Sequence, residues 1–369
     1  MSQKLKTSQH ALHNFLPELQ LIIVRYLDFW DKAALIESTV LALEVVVGTE
    51  NLSDYDKDGN TLLHIAVKQN YKRTTELLVS AGAQISAKSE VPQDHTATPL
   101  ALASEQGNLN IVKILVNSGA SIDEWNYSGV YPLHHASENG HTSIVQLLLE
   151  LGATQKHSYD LGTPLHLAAS NGHADVVQQL LTYGAEIAPL RRGVTALWLA
   201  VANGHLNCVR ILLGAGAAET EPPRSALEWS LLHLAVGGPY FSQAIGMAYE
   251  QSIKEILRFQ VPTWKGGEKE SWAGIIRLLI TSGANVSEEL ESVTPLHLAV
   301  LVGNYTAVEF LLNAGADIYS RNKYGRSALM FAGLLGFEDI GSLLSKAKKA
   351  RPNEKKPVIG PKPKLTIKM

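Results

Sequence analysis

Apolar and polar positions alternate in blocks along most of the chain, and the blocks share one internal order. Each block opens with a short polar-then-apolar stretch. In one of them Thr163 can cap a helix, and Pro164 fits the first helical turn, where its missing N–H costs nothing. A longer apolar run such as Ile144–Leu149 predicts a second helix, which Gly152 ends in the left-handed conformation. The pattern therefore predicts pairs of short helices joined by turns.

The blocks recur with a period of about 33 residues. Near copies of Thr-Pro-Leu-His begin at Thr61, Thr163 and Thr294, and altered copies begin at Tyr131 and Ser230. A Gly-Ala pair normally follows the His position by 18 residues. About eight copies stay in phase, so chance does not explain them. We number the repeats one to eight by the residue at the His position, which is in turn His64, Ala101, His134, His166, Trp198, His233, His297 and Met330.

These repeats resemble the ankyrin repeat, whose signature is T-P-L-H-x-A, over roughly Asp56 to Lys346. The resemblance implies an all-α fold, an ankyrin-repeat solenoid of stacked helix-turn-helix units with β-turn tips. Each helix pair has an apolar face that it buries only against its neighbours, so stacking produces one continuous core. Proteins of this family usually bind partner proteins through the turn tips and the first helices, which form a concave face.

The repeats occupy residues 56–346 and are flanked by two other segments. Residues 1–50 predict a small helical amino-terminal unit. Residues 347–369 are rich in Lys and Pro, a composition that cannot form a core and predicts a disordered basic tail.

Repeat six is longer than the others, because 50 residues rather than 18 separate His233 from Gly283. The extra residues form an insert from about 237 to 272. Apolar residues at helical spacing predict an amphipathic helix within it, and Val261–Gly267 predicts a loop. Insertions in repeat proteins often lie on the binding face. A helix packed on the flank of the solenoid is the alternative.

The histidines and the cysteine are explained by the repeat. Eight of the thirteen histidines occupy two repeat positions, the Thr-Pro-Leu-His place and the place after the second repeat glycine. In the ankyrin family these side chains hydrogen-bond locally and join adjacent repeats. Cys208 aligns with the helix-core position Ile144, so we expect a buried residue rather than a nucleophile. The chain has no Gly-rich phosphate loop. We therefore predict no catalytic residue, no metal site, no cofactor and no enzyme activity.

The amino-terminal unit resembles the start of an F-box, in which a Leu-Pro pair precedes Glu-Leu and then Ile, Leu and Asp at set intervals. The resemblance implies docking on the adaptor subunit of an SCF-type ubiquitin ligase, with the repeats selecting the substrate. The adaptor-binding residues would be Leu16, Pro17, Leu19, Ile23 and Leu27. The alternative is a helical cap over the first repeat. F-box-plus-ankyrin chains occur in fungi and among effectors of intracellular bacteria.

The turn tips differ from repeat to repeat, as positions that recognise a partner would. Aromatic and arginine side chains are frequent anchors of protein interfaces. We predict that a protein partner contacts six residues of the tips and the insert, namely Trp125, Tyr127, Tyr159, Arg191, Arg192 and Trp264. The function predicted first is a non-catalytic protein–protein interaction scaffold or adaptor, and the alternative is a substrate receptor of the ligase.

The net charge of −3 conceals an asymmetry, because residues 346–369 carry +8 and the remainder carries −11. An acidic body argues against nucleic-acid binding by the repeats. The start of the chain lacks an apolar leader, and no apolar run approaches about 18 residues, so we expect no membrane insertion. A single cysteine fits a reducing compartment. We expect an intracellular protein, cytoplasmic rather than nuclear, with secretion of an effector into a host cytosol as an open alternative.

Overall fold

The computed structural model describes residues 32, 52–56, 58–89, 98–126, 129–158, 161–187, 194–217, 230–240, 266–290 and 292–351. The chain divides into two compact units, Met1–Ala196 and Leu197–Met369, and helix pairs stack within each of them. The described residues contain helices and no strand, apart from isolated bridges at Ser158–Gly162 and Leu290–Val293. The predicted all-α class is confirmed.

The helices alternate between a short first helix and a second helix in each repeat. The first unit contains α1 (Leu62–Lys68), α2 (Lys72–Ser80), α3 (Pro99–Gln106), α4 (Leu109–Asn117), α5 (Pro132–Glu138), α6 (Thr142–Glu150), α7 (Pro164–Asn171) and α8 (Ala174–Thr182). Helix α9 (Ala196–Ala202) begins at the last residue of that unit. The second unit continues with α10 (Leu206–Gly214), α11 (Leu231–Gly237), a 3₁₀ turn (Gly238–Tyr240), α12 (Gly266–Thr281), α13 (Pro295–Leu301), α14 (Tyr305–Asn313), α15 (Ala328–Leu335) and α16 (Glu338–Ala350).

Hydroxyl side chains begin the first helices, as the repeated Thr and Ser predict. Thr98 Oγ1 accepts a hydrogen bond from the backbone N–H of Ala101 at 3.2 Å, and Ser230 Oγ accepts one from His233 N–H at 3.4 Å. Proline occupies the first turn of α3, α5, α7 and α13. These caps satisfy N–H groups that have no partner inside the helix, and so they fix where each first helix begins.

The second helices present an apolar stripe to the core. On α6 this stripe consists of Ile144, Val145 and Leu148, each at most 1% exposed. The helix ends where Gly152 adopts a φ of +87°, which lets Ala153 N–H donate to Leu148 O at 2.9 Å. A residue without a Cβ adopts this left-handed conformation at little cost, which explains the repeated glycine.

Histidines that follow the second repeat glycine join neighbouring repeats, as predicted for this position. His141 Nε2–H donates to Glu105 O at 2.8 Å, and His173 Nε2–H donates to Glu138 O at 2.9 Å. The His173 ring lies against Gly140, where an added Cβ would be 2.5 Å from Nδ1. Each ring therefore contacts both a glycine and a backbone carbonyl of the preceding repeat.

Repeat six keeps its two helices although the chain between them is long. Its first helix is α11 and its second is α12, so the insert enters between the two helices; residues 241–265 lie outside the described residues. Trp272 takes the place of the joining histidine and lies against Gly204, while Ser271 Oγ donates to Gly204 O at 2.6 Å. The loop predicted for Val261–Gly267 is wrong at its end, because α12 already begins at Gly266. Glycine has a low helix propensity, which is why the sequence favoured a loop at Gly266 and Gly267.

The last helix, α16, is longer than the other second helices that follow a regular turn. It runs to Ala350, four residues past the boundary drawn at Lys346. The end of this helix is held by Arg351, whose guanidinium donates to Leu312 O at 2.6 Å and whose carbonyl accepts from Tyr319 Oη at 2.9 Å. The remaining residues of the basic tail lie outside the described residues.

Candidate functional site

The candidate site is built on the turn tips, and their shape is set by an Asn or Asp side chain, which is buried at Asn126 and Asn322 and half-buried at Asp56. At the tip that precedes repeat three, Asn126 Oδ1 accepts from Val130 N–H at 2.9 Å, and Asn126 O accepts from Gly129 N–H at 3.0 Å. Asp56 and Asn322 hold their own tips in the same way. A short carbonyl side chain that bonds backbone N–H groups nearby is a preferred turn former. The tips are therefore fixed by short-range hydrogen bonds within the turn.

Trp125 lies beside Asn126 and is 43% exposed, which is unusual for so large an apolar side chain. The Lys88 ammonium lies 5.5 Å from the centroid of its ring and 2.6 Å from Glu124 Oε1. These contacts hold the indole in place in the free protein. An aromatic side chain that is already ordered loses little conformational entropy when a partner covers it.

Of the six residues predicted to bind a partner, Trp125 lies within the described residues and on a tip. The other five, which lie outside them, are Tyr127, Tyr159, Arg191, Arg192 and Trp264. The five residues predicted to bind a ligase adaptor also lie outside the described residues, namely Leu16, Pro17, Leu19, Ile23 and Leu27. The geometry of the candidate site therefore comes from Trp125 and its neighbours.

The histidines of the Thr-Pro-Leu-His position fasten the tips to the helices. His134 Nδ1 accepts from Tyr131 N–H at 3.3 Å, so the neutral ring carries its proton on Nε2 and donates to Gly162 O at 3.1 Å. In repeat six the equivalent contact joins His233 Nε2 to Val293 O at 3.1 Å. Burial lowers the pKa of both His134 and His233 to about 4. The hydrogen bonds to these carbonyls act in the opposite direction and raise the pKa, but burial is the larger effect. These rings are neutral at physiological pH and their role is positional.

Chemistry-bearing side chains do not converge in the part of the chain that the structure describes. No group of three or more His, Cys, Asp and Glu side chains there could hold a metal ion. Cys208 is 1% exposed, as predicted, and burial raises the pKa of its thiol to about 11. Among the helices described, none is both long and apolar enough to cross a membrane.

A cleft of about 350 Å³ adjoins the tip between repeats three and four. One wall consists of Gln155, Lys156 and His157, and Glu186 lies on the other. Gln155 Nε2–H spans to the next repeat and donates to Tyr183 O at 2.9 Å. The cleft offers polar groups of both charges close to a tip.

Family models match most of the repeat region. A model described as ankyrin repeats (3 copies) matches residues 86–160, 153–224 and 270–356, and a single ankyrin repeat model matches residues 58–90.

The chain belongs to the ankyrin repeat family.

Its relatives share the repeats and little else. The chain is 41% identical over 86 residues to the glycerophosphocholine phosphodiesterase gde1 of Schizosaccharomyces pombe, which covers 23% of this chain and 7% of that protein. It is 34% identical over 87 residues to the B-cell lymphoma 3 protein homolog of Mus musculus, covering 24% of this chain and 19% of that protein. The chain thus spans less than a fifth of either relative's length.

Among solved structures, the crystal structure of the human ASB11 ankyrin repeat domain is similar. It aligns with a TM-score of 0.52 and 25% sequence identity, over 68% of this chain and 97% of that one. Ankyrin repeats form a protein–protein interaction module, and their fold is typically non-catalytic. The repeats of this chain are therefore a protein–protein interaction module.

The structure adds binding candidates that the sequence did not single out. Lys88 lies 37 residues before Trp125, and only the stacking of two repeats brings them together. Met330, identified in the sequence only as a degenerate copy of the repeat histidine, is 47% exposed. Its departure from the repeat consensus was the one available signal.

Proposed function

We propose that this ankyrin repeat protein is a non-catalytic scaffold or adaptor that binds a protein partner on its concave face, with Trp125 as an anchor. The observation that carries the proposal is the exposed indole on a tip whose backbone is fixed by Asn126. Large aromatic side chains dominate the energetics of many interfaces. Lys88 lies over the ring and pairs with Glu124, so charged groups border the indole, as in the polar rim of an interface.

A photo-crosslinking experiment with a matched control tests this proposal. One variant carries a photoreactive amino acid in place of Trp125, and the other carries it in place of Tyr183, an aromatic residue that is 44% exposed at a helix end. We expect a discrete adduct with the partner from position 125 and not from position 183. Excess unlabelled Tyr183→Ala protein should compete with formation of this adduct, whereas excess unlabelled Trp125→Ala protein should not. Equal adducts at both positions, or none at position 125, contradict the assignment of Trp125.

The second candidate function is that of a substrate receptor of an SCF-type ubiquitin ligase. The observation that favours it is the order Leu-Pro, Glu-Leu, Ile and Leu in the amino-terminal unit. Purified ligase adaptor subunit provides the test, since it binds an F-box directly. We expect binding by the intact chain and loss of binding in the Leu19→Asp/Ile23→Asp double variant. If the intact chain does not bind the purified adaptor, the amino-terminal unit is a cap and the scaffold function stands alone.

A further inference from the structure

The last repeat carries an exposed apolar row on its first helix. Met330 is 47% exposed, whereas the residues at the same repeat position in repeats three, six and seven, His134, His233 and His297, are at most 1% exposed. One turn further along α15, Leu334 is half-buried. Residues four apart lie on the same face of a helix, so Met330 and Leu334 form one row.

The position of Leu334 is polar or charged in repeats one to three. The residues there are Lys68, Glu105 and Glu138. Repeat seven also has a leucine at this position, Leu301, but that side chain is 0% exposed, whereas Leu334 is half-buried and leaves part of its apolar surface uncovered. Apolar side chains with charged groups at their border have the composition of a protein interface, an apolar centre with a polar rim.

The tip that borders this row is basic. Arg321, Lys323 and Arg326 lie within one turn, held by Asn322, whose Oδ1 accepts from Arg326 N–H at 3.0 Å. The Arg321 guanidinium lies 3.9 Å from Met330 Sδ, so the basic tip and the apolar row are continuous. We call Arg321, Lys323, Arg326, Met330 and Leu334 the end-repeat surface.

The carboxylates of Asp317 and Glu289 lie at the first two residues of this turn, before the three basic residues. Asp317 accepts from Tyr319 N–H at 2.8 Å and from Ser320 Oγ–H at 2.9 Å, and Glu289 Oε1 lies 3.3 Å from the same Ser320 Oγ. The turn from Tyr319 to Arg326 contains three basic residues and no acidic residue. The end-repeat surface is therefore positive where it is polar.

The charge of the carboxy-terminal tail argues against binding of the tail to the end-repeat surface. Residues 352–369 contain five Lys and one Glu, so they carry the same sign as the tip. Like charges at a contact are unfavourable, and complementary charges favour and orient association.

We infer that the end-repeat surface binds an acidic, amphipathic segment of a partner protein. Leucine or phenylalanine side chains of that segment would pack on Met330 and Leu334, and its carboxylates would pair with Arg321, Lys323 and Arg326. An arginine guanidinium suits such pairing because it engages both carboxylate oxygens. This inference rests on the proposed function as a protein-binding scaffold, and it adds a second contact surface and the chemistry of the partner that fits it.

The test uses the full chain and two fluorescent peptides of equal length. One is an amphipathic peptide of Glu, Asp, Leu and Phe, and the other has every Glu and Asp replaced by Lys. We expect anisotropy to show binding of the acidic peptide only, weakening as salt is added, because salt screens exposed charges. Binding of both peptides alike would overturn the inference.

Variants of the end-repeat surface locate the binding. We expect Arg321→Glu/Lys323→Glu and Met330→Asp each to weaken the acidic peptide about tenfold or more, a loss on the order of 1.4 kcal/mol. Two controls make matched changes elsewhere, Lys113→Glu/Arg210→Glu for charge, at two exposed residues, and Leu151→Asp, which is 44% exposed, for apolarity. Both should bind like the unmodified chain. Unchanged affinity in the Met330→Asp protein, with its helical circular dichroism retained, contradicts the inference.

Two other occupants give distinct results. If Val358→Asp/Ile359→Asp in the full chain raises peptide affinity more than tenfold, the tail covers the surface and the inference fails. If analytical ultracentrifugation shows a dimer that the Met330→Asp substitution dissociates, a second copy of the chain occupies the surface, and the inference also fails. The crosslinking experiment at position 125 does not depend on these variants. A negative result with the peptides therefore leaves the proposed function intact, and a negative crosslinking result leaves the peptide test of the end-repeat surface intact.

Discussion

Trp272 lies against Gly204 so closely that a Cβ added to the glycine would be 2.8 Å from Cζ2 of the indole. The same relationship joins His173 to Gly140 in the first unit. Repeat six therefore re-enters the regular stack at Trp272, with an indole in place of an imidazole. The contact fixes α12 against repeat five although a long insert precedes it.

Replacement of this glycine should destabilise the second unit more than its backbone conformation alone accounts for. Gly204→Ala has two costs. An alanine at a left-handed φ of +74° costs about 1–2 kcal/mol, and the clash of its Cβ with Trp272 costs a further amount of about 1–3 kcal/mol, as for other overpacked sites. Gly216→Ala is the control, since Gly216 has a φ of +89° and no atom within 4 Å of an added Cβ. In urea unfolding, the free energy of unfolding should be lower for Gly204→Ala than for Gly216→Ala. Equal losses of stability in the two variants would show that the indole moves aside freely.

The tip that carries Trp125 should depend on a single acceptor atom. Asn126→Ala removes the acceptor for the N–H of Val130, a residue that is 1% exposed, and an unsatisfied buried donor costs about 1–3 kcal/mol. Asn126→Asp keeps an oxygen at that place and should lose much less stability. Chemical denaturation of both variants measures the difference, and similar losses would mean that the side-chain hydrogen bond does not hold the turn.

Acid should weaken the first unit through His134. Burial holds the pKa of His134 at about 4 in the folded protein, below the value of about 6.5 in an unfolded chain. Below pH 6.5 the unfolded state binds a proton that the folded state does not, so stability is lost as pH falls from about 6.5 towards about 4. The contribution is on the order of 3 kcal/mol from a shift of this size.

Unfolding curves recorded between pH 7 and pH 4.5 measure this loss. A His134→Gln protein, which cannot titrate at that position, should be less stable at pH 7 and should show a flatter dependence on pH. An unchanged slope in that variant would assign the acid sensitivity to other groups.

The cysteine should be unreactive until the second unit opens. Cys208 is the chain's single cysteine, it is 1% exposed, and burial raises the pKa of its thiol to about 11, so the reactive thiolate is scarce at neutral pH. A chromogenic disulfide reagent at pH 7.5 should label the native protein far more slowly than the protein in urea, where one thiol per chain should react. Rapid labelling of the native protein would contradict the buried placement on α10.

The sequence by itself determined the repeat and everything that the repeat dictates. Thr98 and Ser230 cap first helices, Gly152 ends a second helix, and His141 joins two repeats, all as their positions predicted. Such features are local, because a cap or a left-handed glycine depends on a few neighbouring residues. A stack of repeats also has contacts only between neighbours, so one unit predicts the next. For the same reason the histidines were correctly identified as positional.

Only the tertiary structure decided what lies on the surface and what happens where the repeat is broken. Lys88 reaches Trp125 from the preceding repeat, and Met330 is exposed at a position that is buried elsewhere. The sequence also placed Gly266 in a loop, because glycine disfavours a helix locally, whereas in the structure α12 begins at Gly266. Exposure and packing depend on residues far apart in the chain, so the sequence shows that Met330 departs from the repeat but not that its side chain is exposed.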